Sequence, residues 1–541
     1  MPILYNARLH APAFPAATAL AIRGDRIIAL GSDFDMRAPA EPRTEQIDLK
    51  GALVLPGLTD SHVHFEWFAF GLANVDVETD TLDGALRRVA ERAKVTPKGQ
   101  WIRGHGWNYS RWGDDFPTAA QLDSVSPDHP VYLTAKSMHA GWANSVALRL
   151  AGVTADTPDP VGGKVGRDAH GQPTGILFET AMDLVTSRAY DGRESSAPNR
   201  PTAEDTARAM LAAQETAWKL GLTGVHDFDG IRCFIAYQLL RERGQLGLRV
   251  VKNIPVAYLE HAIALGLHSG FGDNWIRIGN IKIFADGALG PRTAAMIEPY
   301  EGEPGNYGMT VTDKEEIYER GSLAAKNGLA ITVHAIGDKA NHDLLDVYES
   351  LRAEEDIRHS SFVIRHFLRH RAEHLQIVHP EDAHRFAALK IIGSMQPIHA
   401  TSDMLMADKY WGKRSAGAYA WRTQLNYGAV LTFGSDTPVE PINPLWGIHA
   451  AVTRRRGDGS PGEAGWYPEQ RLTVAEAVDG YTRGAAYAGR MEADLGSIEP
   501  GKLADLTILD RDLFHCDPMD IRDAQVLGTM VGGEFKYCAL G

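Results

Sequence analysis

The chain of 541 residues is three to four times the ~150 residues of a typical domain, which excludes a mini-protein or a lone binding module. Hydrophobic residues at 44%, charged residues at 23% and aromatics at 8% supply a large core and exclude wholesale disorder. Lys+Arg 55 against Asp+Glu 69 leaves a formal charge of −14, which repels phosphate backbones and anionic lipid and argues against nucleic acid as a partner.

In chain order, the first 57 residues read as short strands with glycine turns: PILYNARLH, TALAIRGDRIIALG and TEQIDLKGALVLPG, each with partial period-two alternation. The stretch APAFPAATALAI within them is the nearest approach to a leader, but Pro12 and Pro15 interrupt it, so loop and strand are expected. The same texture returns only in LGSIEPGKLADLTILD and QVLGTMVGGEFKY. A segment of ~55 residues is marginal alone, so residues 1–57 and 488–541 are expected to build one small β-sandwich domain from both termini. Between them, eight apolar runs end in polar or glycine punctuation: LTDSHVHF, LTGVHDFDG, LRVVKNIPV, IRIGNIKIFADG, LAITVHAIGD, AEHLQIV, KIIGSMQP and AVLTFGSDTPV. Amphipathic stretches such as DTARAMLAAQETAWKLG and DKEEIYERGSLAAKNG separate them. Eight strands alternating with helices predict an α/β fold, a parallel (β/α)₈ TIM-like barrel over residues 58–487. Residues 66–200 exceed any ordinary loop and predict an inserted subdomain that closes in SRAYDGRESSAPNRPTAED. Beyond the eighth run, RRRGDGSPGEAGWYP is expected as a mobile loop, and Thr473 with Glu476 as a capping box opening the helix TVAEAVDGYTRGAAYA.

No run approaches the ~18 apolar residues of a membrane span. Cys233, Cys516 and Cys538 lie outside any CxxC-like spacing, which signals neither a disulfide framework nor a thiolate site and fits a reducing cytoplasm. With 21 histidines, nitrogen and oxygen are the donors to examine. His62 and His64 are one residue apart, so on a strand both rings share a face, at the strand end where barrel active sites form. His334, His374 and Asp436 lie near three other run ends. Any one alone fits a core residue; their coincidence points to a metal site, and imidazoles with a carboxylate suit zinc, with manganese, iron or cobalt as alternatives. Lys282 stands in the apolar run IKIFADG. Burial favours its neutral amine, able to add carbon dioxide, although spacing alone fits a snorkelling or salt-bridged lysine better.

PGLTDSHVHF, taken with IKIFADGALGPRTAA, ITVHAIGDKA, RAEHLQIVHPEDAHRF, SMQPIHAT and FGSDTPV, resembles the amidohydrolase superfamily. More narrowly it is similar to the family 3 branch that includes N-substituted formamide deformylase-like proteins. The likeness runs nearly end to end, including SPDHPVYLTAKSMHAGWANSVAL in the insertion. The resemblance implies two divalent metal ions: His62 and His64 on the first, Lys282 as a carboxylated (carbamate) bridge, His334 and His374 on the second, and Asp436 as a proton-transferring carboxylate that also touches the first. Asp60 would orient a ligand or make a structural contact. The implied reaction is attack of metal-activated hydroxide on an amide-type carbon–nitrogen bond of a small molecule, with Asp436 as general base and then acid.

The resemblance also places Trp107, His139, Trp142 and Asn144 of the insertion, and Asp286, Arg292, Gln396 and His399 of the barrel, near the mouth as substrate contacts. Trp107 and Trp142 equally suit packing, and His105 and His226 are mouth residues without an assigned role. A homodimer is expected by analogy. The same site would serve deamination, ester or lactone hydrolysis, or isomerisation. A non-catalytic regulatory or scaffold protein is the reading from another class, and its signature would be lost ligand types.

Overall fold

Residues 2–38, 44–72, 74–113, 115–160, 162–189, 201–360 and 367–540 are described by the structure, a computed structural model. The eight apolar runs form eight parallel strands: β1 (Leu58–Val63), β2 (Leu222–Asp227), β3 (Arg249–Pro255), β4 (Ile276–Phe284), β5 (Ile331–Ala335), β6 (Arg371–His374), β7 (Ile392–Met395) and β8 (Leu431–Phe433). They pair in sequence order from β1 to β8. A parallel bridge between Val63 and Thr437, with Asp436 N–H donating to His62 O at 2.8 Å and His64 N–H to Thr437 O at 2.9 Å, brings β8 back to β1. Gly434 belongs to this seam because a Cβ there would lie 2.5 Å from the His62 nitrogen and from Asp60 Oδ1. The fold is therefore the expected (β/α)₈ barrel with additional sheets.

Both chain ends contribute to those sheets. Leu53–Pro56 pairs antiparallel with Leu506–Leu509 in a five-stranded sheet that also holds Arg8–Leu9, Val526–Val531 and Glu534–Cys538. A four-stranded sheet of Arg26–Gly31, Ala19–Arg23, Ile3–Tyr5 and Gln46–Asp48 shares its apolar core, with Leu4, Leu20, Ile22, Val54, Leu506, Ile508 and Met530 packed together. These sheets and the barrel form one compact unit, residues 1–65 and 211–541. The weld is polar. Arg249 on β3 grips Asp505 through two 2.9 Å bonds, both side chains almost fully buried. Thr507 Oγ1 donates to Gly221 O at 2.7 Å and Thr529 Oγ1 to Trp218 O at 2.6 Å.

The second unit runs from Glu66 to Met210. Its close comes in the helix Ala203–Lys219, and residues 190–200 of the polar stretch lie outside the described residues. It carries a six-stranded sheet ordered Gly163–Arg167, Pro173–Glu179, Ala140–Ala143, Val131–Ala135, Ile102–Trp107, Val75–Asp76. Val89, Trp107, Leu133 and Trp142 build its core.

Two expectations change. The predicted helix TVAEAVDGYTRGAAYA is two helices, Val474–Tyr481 and Arg483–Ala488. The Thr473–Glu476 capping box is present, but Gly480 and Gly484 lie so close to Phe433 and the Leu431 carbonyl that the chain turns at Thr482 to follow the barrel wall. The segment 454–468, expected as a mobile loop, is pinned. Arg454 lies between the rings of Trp421 and Trp466, at 4.5 and 4.7 Å, and donates to Trp466 O and Tyr419 O at 2.7 and 2.9 Å. Among the described residues no helix is long and apolar enough to cross a membrane.

Removing one partner of a buried pair leaves an uncompensated charge. Asp505→Ala is expected to cost about 3–5 kcal/mol in urea unfolding, whereas Arg8→Ala, which breaks the exposed Arg8–Asp512 pair, should cost under about 1 kcal/mol. Equal costs would contradict the weld.

Candidate metal centre

The site is built on the carboxyl ends of the strands, the face on which barrel active sites form. Alternation on β1 turns His62 and His64 to one side, and the β8 seam carries Asp436 to meet them. His62 Nε2 and His64 Nε2 lie 3.5 and 3.6 Å from Asp436 Oδ1, and His374 Nδ1 and His399 Nε2 each lie 3.9 Å from Asp436 Oδ2. Ligand-type atoms of His62, His374 and Asp436 all fall within 4.8 Å of one another. The His334 ring, one register position from His374, is 4.6 Å away centroid to centroid.

Each imidazole is oriented by its other nitrogen. His62 Nδ1 donates to Glu373 Oε2 at 2.6 Å, His64 Nδ1 to Asp229 Oδ1 at 3.1 Å, and His374 Nδ1 to Gln396 Oε1 at 2.8 Å. In His62 and His64 these acceptors leave the lone pair on Nε2, the nitrogen nearest Asp436, whereas in His374 the nitrogen nearest Asp436 is Nδ1 itself. His334 is reversed, with Nε2 donating to Gly287 O at 2.9 Å, so its lone pair is on Nδ1. Burial, with Lys282 close by, holds His62 well below the ordinary histidine range, and burial with His334 does the same for His374. Burial also opposes a charge on His64, but the Asp229 bond and the carboxylates of Asp229 and Asp436 outweigh it and raise that ring. Neutral imidazole nitrogens and carboxylate oxygens in this spacing are a donor set that fits a divalent transition metal.

Lys282 is buried, its Nζ 4.7 Å from the ring centres of both Phe228 and Phe284. Burial pushes the ammonium down to about 8, against the pull of Glu373 and Asp436. Phe228 also stacks on His62 at 3.9 Å. Beneath, Arg371 pairs with Glu373 at 2.8 Å and donates to Ser61 O, Ser394 Oγ and His226 Nδ1. Burial opposes a charge on Glu373, but Arg371 and His62 hold its carboxyl well below the usual range. His226 therefore serves the barrel interior. Asp60 accepts the His62 N–H and both the N–H and Oγ–H of Ser435, which makes it a clasp of the seam.

Several residues expected as substrate contacts also make structural bonds. Asn144 caps the helix Ser145–Ala151 and spends all four of its bonds on Val131 N–H, Ala147 N–H, Ser126 O and His129 O. Trp107 is buried in the inserted unit with Nε1 donating to Leu133 O, and Trp142 donates likewise to Thr118 O. Asp286 accepts N–H bonds from Ala295, Ile336 and Gly337 at 2.8–3.0 Å and ties the loops after β4 and β5 together. Arg292 pairs with Glu303 at 3.0 Å and reaches Tyr410 Oη at 3.3 Å. Within the inserted unit His139 Nδ1 meets Glu179 at 2.9 Å and His105 Nδ1 meets Thr134 Oγ1 at 2.9 Å. Gln396 and His399 do join the cluster. Glu373, Asp229, Arg371, Phe228 and Gln376 were not singled out from sequence. A Glu directly before His374 in a short apolar run, and the paired acids of HDFDG, were the available signals.

Eight parallel strands with imidazoles and a carboxylate gathered at their carboxyl ends define the scaffold of a barrel hydrolase. The chain belongs to the amidohydrolase family, whose profile matches residues 45–537. It is 35% identical to Protein LONG AFTER FAR-RED 3 of Arabidopsis thaliana over 97% of this chain and 89% of that protein. It is 30% identical to N-substituted formamide deformylase of Arthrobacter pascens over 96% and 95%. Among solved structures, an uncharacterized metal-dependent hydrolase from Pyrococcus horikoshii OT3 superposes with a TM-score of 0.76 at 28% identity, covering 96% of this chain and 99% of that one.

Partners that orient metal-binding histidines typically contribute 10–100-fold in affinity. Glu373→Gln is therefore expected to weaken zinc binding by about 10–100-fold in competition with a chromophoric chelator; unchanged affinity would remove Glu373 from the centre.

Proposed function

We propose that the protein is a metal-dependent hydrolase that cleaves an amide-type carbon–nitrogen bond of a small molecule. The observation that carries this reading is the convergence of four imidazoles on the single Asp436 carboxylate within 3.5–3.9 Å. The name of the Arthrobacter relative favours amide-type chemistry over the other reactions that such a site serves. The residues that would hold two divalent ions, zinc by donor type, are His62 and His64, His334 and His374, with Lys282 as a carbamate and Asp436 shared. Such ions lower the pKa of bound water toward ~7 and polarise a carbonyl.

The chain's own groups do the rest. Asp436 takes the proton of the attacking water and returns it to the departing amine, a base and then acid role worth roughly 10²–10⁴ in rate. Phe228, stacked on His62 and facing Lys282, excludes water from the inner side of the centre. Glu373 and Asp229 keep the Nδ1 protons of His62 and His64 directed away from it.

Formamides, acylated amines, lactones and aminated heterocycles form the assay panel. Turnover of the amides is expected, abolished by a chelator and restored by zinc. Asp436→Ala should lower kcat by about 10²–10⁴. Full activity in the double variant His62→Ala, Asp436→Ala, or turnover of lactones alone, would contradict the proposal.

A further inference from the structure

Two glutamines each meet a histidine of the cluster, and they meet them differently. Gln396 offers Oε1 to His374 Nδ1 at 2.8 Å, so the His374 proton sits on Nδ1 and the Nε2 lone pair is available. Gln376 approaches His399 with Nε2, 3.3 Å from Nδ1. The far nitrogen of His399, Nε2, faces Asp436 Oδ2 at 3.9 Å, beyond hydrogen-bond reach. An ionised carboxylate only accepts, so a lone pair on that nitrogen would oppose the carboxylate lone pairs, whereas an N–H points its positive end at them. A proton on Nε2 requires a donor at Nδ1, and the Gln376 amide supplies it. The Gln376 backbone is held in turn, its carbonyl accepting Tyr419 N–H at 2.7 Å while Ile377 N–H donates to Ile336 O at 3.1 Å. Both Gln376 and His399 are about 5% exposed, so neither geometry is averaged by solvent.

We propose that Gln376 is a positioning residue that fixes His399 as an Nε2–H donor beside Asp436, where it binds the carbonyl oxygen of the substrate as negative charge develops there. The two amides thus favour different tautomers: Gln396 holds the His374 proton on Nδ1 and Gln376 holds the His399 proton on Nε2. The substrate part of this inference rests on the proposed amide hydrolysis; the tautomer part does not.

The test has two readouts on the metal-loaded protein. In long-range nitrogen–proton spectra of histidine-labelled protein, with His399 assigned by its loss in His399→Gln, the proton is expected on Nε2. Gln376→Glu, which only accepts when ionised, should move it to Nδ1. The same variant should lower kcat on the best amide by roughly 10²–10³, the usual cost of an oxyanion donor, with KM changed by less than about threefold and metal content unchanged. Gln376→Met, uncharged and similar in size, serves if the Glu variant does not fold and should lose kcat in the same way. A proton on Nδ1 in the wild type, or undiminished kcat in both variants, overturns the inference. An Nε2 proton in a protein that hydrolyses no amide upholds the tautomer and overturns the hydrolase reading.

Discussion

The seam between β1 and β8 is the interaction on which barrel and site both depend. Its backbone bonds are made by the residues that carry the chemistry: Asp436 N–H to the His62 carbonyl, His64 N–H to the Thr437 carbonyl. Asp60 adds a side-chain clasp by accepting from His62 and Ser435. Closing the barrel therefore places two histidines and the carboxylate together before any ligand arrives. Asp436 and His374 pay for their positions with left-handed backbones, φ 60° and 79°, a conformation that costs a non-glycine residue on the order of 1–3 kcal/mol and is sustained where surrounding bonds dictate it.

Charge compensation below the mouth is the second condition. His62 and His64 need acceptors at Nδ1 to present their other nitrogens, and these acceptors, Glu373 and Asp229, are buried carboxylates that need cations. Arg371 answers Glu373 inside the barrel, and Lys252 answers Asp227 at 2.7 Å, with Asp227 in turn accepting the N–H groups of Phe65 and Asp229 that flank His64 and its partner. Buried ion pairs of this kind contribute little net stability compared with apolar packing. Their effect here is orientation, which an apolar interior would not provide. Lys282, between two phenyl rings, is a buried cation whose surroundings ease the loss of its proton.

Much of this was legible in the sequence because the signals were local. Seven of the eight strands lie inside the apolar runs and β6 starts one residue before its run, and β1, β4, β5 and β6 end within two residues of the singled-out residues, since a buried parallel strand reads as an apolar run and its polar end marks the mouth. The pairing of the chain ends followed from a shared strand texture. What stayed hidden was non-local. His62 and Glu373 are 311 residues apart, and nothing in either motif announces the bond. The bonds of Asn144 and Trp107 to nearby backbone groups were equally hidden, because neither motif shows which partner its polar atoms will meet. The break at Thr482 and the anchoring of the 454–468 segment by Arg454 both come from packing against the barrel, which a periodicity reading does not contain.

The central claim, that this cluster is a metal centre shared by Asp436 and a modified Lys282, is tested most directly by a crystal structure of the zinc-loaded protein with anomalous data collected at the zinc edge. The account predicts anomalous peaks among His62, His64, His334, His374 and Asp436, with electron density continuing beyond Lys282 Nζ as a carbamate. Absence of any anomalous peak at the cluster, with a bare Lys282 amine, would contradict it.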